Sequence, residues 1–209
     1  MLELLLNTFV ILFVVLDPIG LTPLFAALTH GGSRAYQRRM AVKGTLVAGV
    51  ILVTFVFVGA PLLRWLGVGI PAFRLAGGVL LFLLAIEMVF ARHSGLRSTT
   101  SAERAEAEHK EDIAVFPLAI PLIAGPGALT TLLLMLTEGQ GDPAVVAVVL
   151  LVLAVVLGIT LLTLLSAARL TGVMGETGAN VVSRVLGVIL AALAVQFMLD
   201  GLRDGLGLT

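Results

Sequence analysis

The chain has 209 residues, of which 59% are hydrophobic and 12% are charged. This balance excludes an ordinary soluble domain and favours a protein that lies in the lipid bilayer. Lys and Arg number 13, as do Asp and Glu, so the chain lacks the basic surface that nucleic-acid binding requires. With no cysteine and 3 histidines, disulfides are excluded and we expect no metal or other cofactor.

Six apolar segments are each long enough to cross the bilayer as a helix, which takes about 20 residues. They lie at residues 4–29, 41–63, 71–90, 113–137, 143–168 and 181–203. The run 145–157 lacks the apolar–polar alternation of a membrane-spanning strand, so helices are the expected spanning structure. The sequence therefore predicts an all-α polytopic membrane protein with six transmembrane helices in a single membrane domain.

The basic residues at the ends of these segments predict how the chain is oriented. Ten Lys and Arg residues fall on one side of the membrane, and Arg64, Arg74 and Arg203 fall on the other. Because basic residues flank the cytoplasmic ends of membrane helices, we expect both termini on the non-cytoplasmic side of a cell inner membrane. The polar stretch 92–112 is then a cytoplasmic loop.

The two halves of the chain resemble each other in sequence. An offset of 108 gives seven identities in the 14 positions from 18 to 31, and offsets of 109 and 110 align the next two helices. The strongest matches include Pro18/Pro126, Thr22/Thr130, Gly31/Gly139, Gly49/Gly158 and Gly77/Gly187. Three helices per repeat force the second copy to cross in the opposite sense, as in many secondary transporters. We expect inverted repeats at residues 1–91 and 113–209; a duplicated bundle that transports nothing is the alternative.

Polar and helix-breaking residues interrupt the first predicted helix near its middle. Asp17, Pro18 and Gly20 lie within LDPIGLTP, and Asp17 is 13 residues, or roughly 20 Å, beyond Leu4. A carboxylate at this depth is costly unless it is paired, protonated or in a water-filled cavity, so a functional role is the default interpretation. Asp17 and Pro18 are also a favourable N-cap and first residue for a second half-helix. Helix 1 is therefore predicted to be discontinuous.

The fourth predicted helix contains the corresponding interruption, within FPLAIPLIAGPGALTT. Pro117, Pro121 and Pro126 remove three backbone donors, and Gly125 and Gly127 flank the last proline. A half-helix that begins at Pro126 would point free N–H groups and the positive end of its dipole at the membrane midplane. Inverted symmetry would bring it opposite the half-helix of the first repeat. Helix 4 is therefore predicted to be discontinuous too.

Two facing helix N-termini suit an anion such as a substrate carboxylate. Asp17 corresponds to Gly125 in the repeat alignment, so we expect amides around Gly125 and Gly127 to bind a carboxylate while Asp17 faces an ammonium. Together these groups describe a zwitterion. Thr22 and Thr130, one turn into each half-helix, either line the same cavity or hydrogen-bond back to their own helices.

Coupling to an ion gradient would need a titratable group or an ion site within the membrane. Besides Asp17, Glu87 near the end of helix 3 is a candidate coupling residue. Protons are the expected ion, and Na⁺ is the alternative because unwound carbonyls can coordinate it. The chain lacks GxxxxGK[ST], HExxH and GxSxG motifs, so we expect neither a primary pump nor an enzyme. A channel or export facilitator for other small solutes is the alternative to a secondary transporter.

Three segments of the chain are distinctive: DPIG in helix 1, FRLAGGVLLFLLAIEM in helix 3 and PLAIPLIAGPGA in helix 4. They resemble the signature segments of the MarC family of bacterial and archaeal membrane proteins, and the similarity extends over the whole chain. The resemblance implies a six-helix inner-membrane protein with inverted three-helix repeats and with helices 1 and 4 discontinuous. It also implies transport of small neutral amino acids of the glycine, alanine and serine class, which some members of the family carry out. The site residues that it implies are Asp17, Pro18, Gly20, Gly125, Pro126 and Gly127.

Overall fold

The computed structural model describes residues 1–90, 112–139 and 142–207, and all regular secondary structure in these ranges is helical. Seven of the eight elements are α-helices, and the element α5 has turns wider than those of an α-helix. The elements are α1 (Leu2–Leu16), α2 (Leu21–Leu28), α3 (Arg34–Trp65), α4 (Ile70–Phe90), α5 (Ala114–Ile123), α6 (Pro126–Glu138), α7 (Pro143–Leu165) and α8 (Ala167–Leu206).

Length and composition allow five or six crossings of a membrane. Five segments qualify: Leu2–Leu28, Arg34–Trp65, Ile70–Phe90, Pro143–Leu165 and Thr177–Leu206. The pair α5 and α6, bent by 52°, qualifies as a sixth if it is counted as one span. Large apolar side chains in the middle of α3 point away from the bundle, with Val50 67% and Phe57 58% exposed. Such a surface suits contact with lipid, as in an integral multi-pass membrane protein.

Local sequence explains where several helices begin. Ser33 is the N-cap of α3, and its side chain accepts a hydrogen bond from the Tyr36 N–H at 3.2 Å. Asp142 does the same for α7, accepting from the Ala144 N–H at 2.8 Å, with Pro143 as the first helical residue. Both are favourable arrangements for a helix N-terminus.

The wide turns of α5 follow from its two internal prolines. Pro117 and Pro121 have no N–H to donate, and Phe116 and Ile120, which precede them, have extended backbone angles. The hydrogen bond from the Ala124 N–H to the carbonyl of Ala119 spans five residues, and the one from Leu118 to Ile113 does so as well. The backbone therefore already departs from α-helical geometry before the second helix break.

Helices whose sequences match between the two halves of the chain contact each other closely. The third helices, α4 and α8, pack antiparallel: Gly78 of α4 lies against Met198 of α8, and Gly187 of α8 lies against Met88 of α4. The first span of each half packs on the second span of the other, α1 on α7 and α5–α6 on α3. The small glycines allow these backbones to approach closely.

Some predicted boundaries differ from the observed ones. The second span, predicted at 41–63, belongs to a helix that already begins at Arg34, because capped polar turns extend the helix beyond the apolar segment. The sixth, predicted at 181–203, belongs to α8, which begins at Ala167 and is interrupted at Gly175 with φ 64°. Apart from Asp112, the predicted loop 92–112 lies outside the described residues.

Candidate functional site

The first helix break contains a buried carboxylate that bonds to its own backbone. α1 ends at Leu16, Asp17 has left-handed angles (φ 44°, ψ 65°), and α2 begins at Leu21. The Asp17 Oδ1 accepts a hydrogen bond from the Gly20 N–H at 3.0 Å, and its backbone carbonyl accepts one from the Leu21 N–H at 3.1 Å. This is the bonding pattern of a helix N-cap, although an N-cap residue usually has extended angles.

A second helix contributes a hydroxyl to this carboxylate. The Ser183 Oγ of α8 donates a hydrogen bond to the Asp17 Oδ2 at 3.0 Å, and only 2% of Asp17 is exposed. A Cβ at Gly20 would lie 2.1 Å from the Asp17 Oδ2 and 2.4 Å from the Ser183 Oγ. Only glycine at position 20 therefore leaves room for this contact.

The backbone of the first break accepts two further hydrogen bonds. The carbonyl oxygen of Pro18 accepts from the Thr22 Oγ1 at 3.0 Å and from the Thr163 Oγ1 of α7 at 3.1 Å. Thr22 thus bonds back to its own helix, one of its two predicted roles. The sequence did not reveal that Thr163 and Ser183 contact the first break. For Thr163, the one sequence feature that could have indicated it is its match to Thr54 at the offset of 109.

The second helix break has a different arrangement. α5 ends at Ile123, Gly125 has extended angles (φ −80°, ψ 173°), and Pro126 is the first residue of α6. The N–H groups of Gly125, Gly127 and Ala128 form no hydrogen bond within the part of the chain that the structure describes. They are the open donors that an uncapped helix N-terminus presents.

Close packing requires glycine at position 125 and leaves little room for a side chain at position 127. A Cβ on Gly125 would lie 2.4 Å from the carbonyl oxygen of Pro121, and one on Gly127 would lie 2.8 Å from the Leu84 Cδ2. Since the first of these contacts is with the backbone, a larger residue at position 125 forces the main chain to move.

A small cavity of about 10 Å³ lies beside the second break. Val15, Leu80 and Leu84 line it together with residues 125–128. A space of this size holds about one water molecule, so the arrangement is closed to an amino acid.

The structure brings only some of the predicted site residues together. Gly125, Pro126 and Gly127 share the small cavity with Val15, two residues before Asp17. The remaining predicted residues, Asp17, Pro18, Gly20, Thr22 and Thr130, do not line it.

Thr130 and the predicted coupling residue Glu87 both lie outside this cavity. The Thr130 Cγ2 packs against Gly77 of α4. Glu87, the candidate coupling residue, is partly buried and lies three positions beyond Leu84 on α4. Leu84 lines the cavity, so the Glu87 Cα is about 4.5 Å further along the helix axis. Among the described residues, no group of three or more His, Cys, Asp or Glu could hold a metal ion.

The chain is similar to known membrane proteins. The model of the MarC family of integral membrane proteins matches residues 2–206. A UPF0056 membrane protein of Archaeoglobus fulgidus is 35% identical over 200 residues, covering 95% of this chain and 92% of the relative. YvbG of Bacillus subtilis, also a UPF0056 membrane protein, is 34% identical over 197 residues, covering 94% and 93%.

A UPF0056 inner membrane protein of Escherichia coli, YhgN, is 32% identical over 196 residues, which are 93% of each chain. No solved structure matches the chain. The matches to the family model and to these relatives each extend over nearly the full length of the chain. The chain therefore belongs to the MarC family of integral membrane proteins.

Proposed function

We propose that the protein is a secondary transporter of small neutral amino acids, of the glycine, alanine and serine class, with its substrate site between the two helix breaks. The observation that carries the proposal is the set of open amides at the second break, on Gly125, Gly127 and Ala128. An uncapped helix N-terminus within a membrane is costly, since no water hydrogen-bonds it there, unless a ligand supplies the acceptors.

The first break indicates which chemical group would fit the second. Asp17 aligns with Gly125 at the offset of 108, and Gly20 then aligns with Ala128. In the first break a carboxylate accepts the Gly20 N–H. A carboxylate from outside the chain can take the same position at the Ala128 N–H, because residue 125 has no side chain of its own. A substrate carboxylate is that group.

Asp17 would supply the opposite charge for the substrate ammonium. Its carboxylate is buried and accepts a hydrogen bond from Ser183. An ammonium group, with three N–H donors, can replace that hydroxyl once α8 moves away from the break. The cavity of about 10 Å³ would then have to open, as alternating access requires.

Inverted repeats would provide that motion, and the packing supports them. Under the offset of 110, Gly78 corresponds to position 188 and Met198 to Met88. The contact of Gly78 with Met198 therefore maps, to within one residue, onto the contact of Gly187 with Met88. The pairing of α1 with α7 and of α5–α6 with α3 exchanges in the same way. A pseudo-twofold axis in the membrane plane relates such elements. On this proposal the discontinuous helices are α1–α2 and α5–α6.

The coupling ion and the membrane orientation complete the proposal. Protons would couple to transport through two of the acids within the spans, Asp17 and Glu87. Na⁺ is the alternative coupling ion. In the predicted topology most basic residues fall on one side of the membrane, so on this proposal both termini lie outside the cytoplasm, in the inner membrane.

Uptake into proteoliposomes tests the proposal. Purified protein should accumulate labelled glycine, alanine or serine, and Asp17→Asn should reduce the initial rate at least about tenfold, the loss expected when an ammonium loses its charged partner. Asp142→Asn is the matched control, because Asp142 caps α7 at an exposed position where Asn caps equally well. Its uptake should equal that of the wild type.

The outcomes separate the parts of the proposal. No uptake of any small zwitterion by the wild type overturns the substrate class, whereas full uptake by Asp17→Asn removes Asp17 from the mechanism. Substrate on the opposite side should accelerate exchange, as a carrier requires. Without that acceleration the protein is a pore.

A further inference from the structure

A large cavity of about 720 Å³ lies away from both helix breaks, at the end of the bundle where α2 is followed by α3 and α7 by α8. Its volume falls within the range of small-molecule sites. None of the residues considered for transport lines it. The cavity therefore needs an explanation of its own.

One wall of this cavity is cationic. Arg34 and Arg38 of α3 and Arg169 of α8 line it, together with His30 and Gln37. No Asp or Glu among the described residues is part of the lining, and none of the three arginines forms an ion pair with a described residue. Three like charges around one space repel each other unless an anion lies among them.

The other wall is apolar. It includes Phe25 of α2 and the end of α7 at Leu164 and Leu165. A cavity with a cationic and an apolar wall matches a ligand that combines a negative headgroup with hydrocarbon.

The position of the arginines fits the headgroup region of a bilayer. Arg34 is the first residue of α3, and Arg169 lies in the first turn of α8, eight residues before the spanning segment Thr177–Leu206. The N–H groups of Ala167 and Ala168, which also line the cavity, form no hydrogen bond with the described residues. A phosphate could accept from both these amides and the guanidinium groups.

We propose that this cavity binds the phosphate group of an anionic phospholipid. The chemistry recognised is a phosphate ester, and the apolar wall favours a lipid over a soluble ester. The inference does not depend on transport.

The general preference for basic residues at this end of the protein does not account for the arrangement. Arg39, next to Arg38 on α3, satisfies that preference equally well, yet it lies outside the cavity and interacts with the Asp112 carboxylate. This difference makes Arg39→Gln a matched control, since it removes one charge from the same turn of the same helix.

Lipid-dependent thermal unfolding of the purified full-length protein tests the proposal. In neutral detergent, phosphatidylglycerol should raise the unfolding midpoint and phosphatidylcholine should not. Each arginine near an anionic lipid surface contributes roughly a fivefold factor in binding. The variant R34Q/R38Q/R169Q should therefore need roughly 100-fold more phosphatidylglycerol for the half-maximal shift. Arg39→Gln should respond like the wild type.

Two further arms complete the experiment. Arg169→Gln alone should weaken the response roughly fivefold, which keeps the test valid if the triple variant is unstable. Glycerol 3-phosphate alone should give no shift; if it gives one that the triple variant loses, the phosphate chemistry holds but the natural source is soluble. Equal stabilisation by phosphatidylcholine, or an unchanged response of the triple variant, overturns the proposal.

Discussion

The two helix breaks have related sequences but opposite hydrogen bonding. At the first, the N–H groups of residues 17 and 20 are bonded within the break or to α1, and only that of Ile19 forms no hydrogen bond with the described residues. At the second, the corresponding groups of residues 125, 127 and 128 all lack one. One position accounts for the difference between Gly20 and Ala128, because Asp17 accepts the Gly20 N–H and its counterpart Gly125 has no side chain to do the same for Ala128.

The two breaks also differ in how they are covered. Pro18 is buried, and Thr163 of α7 donates to its carbonyl oxygen, whereas Pro126 is exposed. Thr54 of α3, the counterpart of Thr163, is exposed as well. Two segments with matching sequences thus form a self-capped turn in one half of the chain and an open turn in the other. Under the transport proposal, that asymmetry belongs to one state of an alternating cycle.

Among substitutions at the two helix breaks, Gly125→Ala is expected to have the largest effect on stability. Its Cβ would lie 2.4 Å from the carbonyl oxygen of Pro121, so the second turn must shift. Overpacking of this kind costs about 1–3 kcal/mol, and we expect the upper end because the contact is with the backbone. Unfolding of the purified variant measures the loss of stability. Under the transport proposal, added free glycine should stabilise the wild type against unfolding, and the variant should lose that stabilisation.

Gly158→Ala is the control for that substitution. Gly158 lies in the interior of α7 and a Cβ added there would have nothing within 4 Å, so alanine should stabilise the helix by about 0.5–1 kcal/mol. If Gly125→Ala is as stable as the wild type, close packing at the second turn is not what requires glycine there.

A smaller effect is expected at the first break from Ser183→Ala. This substitution removes the hydroxyl donor to the buried Asp17 Oδ2. A lost hydrogen bond to a charged group costs about 1.5–3 kcal/mol. We expect the lower end of that range because the Gly20 N–H still bonds to the Asp17 Oδ1. Denaturant unfolding in micelles should show the loss, while Ser166→Ala, at an exposed position without a side-chain cap, should change little. Equal stabilities would mean that α8 does not hold the carboxylate.

The smallest effect concerns the anchoring of the segment before the second break. Asp112 pairs with Lys43 of α3 and accepts the Ala114 N–H, whereas the matching position in the first repeat is Leu4. The hydrogen bond from Lys43 is the main cause that lowers the pKa of Asp112 below its usual 3.8. A lowered pKa in the folded state means that the pair stabilises the fold above about pH 4 and that this contribution is lost as the pH falls through the lowered pKa.

Because both side chains are about two-fifths exposed (42% and 41%), the contribution should stay below about 1 kcal/mol. Unfolding at pH 7 and at pH 3 should reveal it in the wild type. In Asp112→Asn, the part of the stability difference between pH 7 and pH 3 that arises from this pair should be mostly lost. A variant with the full wild-type pH dependence would show that other carboxylates cause it.

The amino-acid sequence was enough to indicate which segments are apolar and long enough to cross a membrane, and where regular α-helix ends. Crossing segments follow from apolar length, and interruptions follow from Asp17–Pro18 and Gly125–Pro126, because proline and capping residues act on the backbone within about one turn. The helix ends at Leu16 and Ile123 lie within two residues of these motifs. Family membership was also indicated by the motifs and is shown by the match over residues 2–206.

Which side chains meet at the first break depends on how the helices pack. Ser183 is 166 residues from Asp17, and Thr163 is 145 residues from Pro18. These contacts depend on how each helix is rotated about its axis and on its register. The spans are apolar on nearly every face, so no hydrophobic stripe in the sequence reveals that rotation. For the same reason the sequence could not show that the Asp17 carboxylate bonds to α8 and does not line the cavity at Gly125.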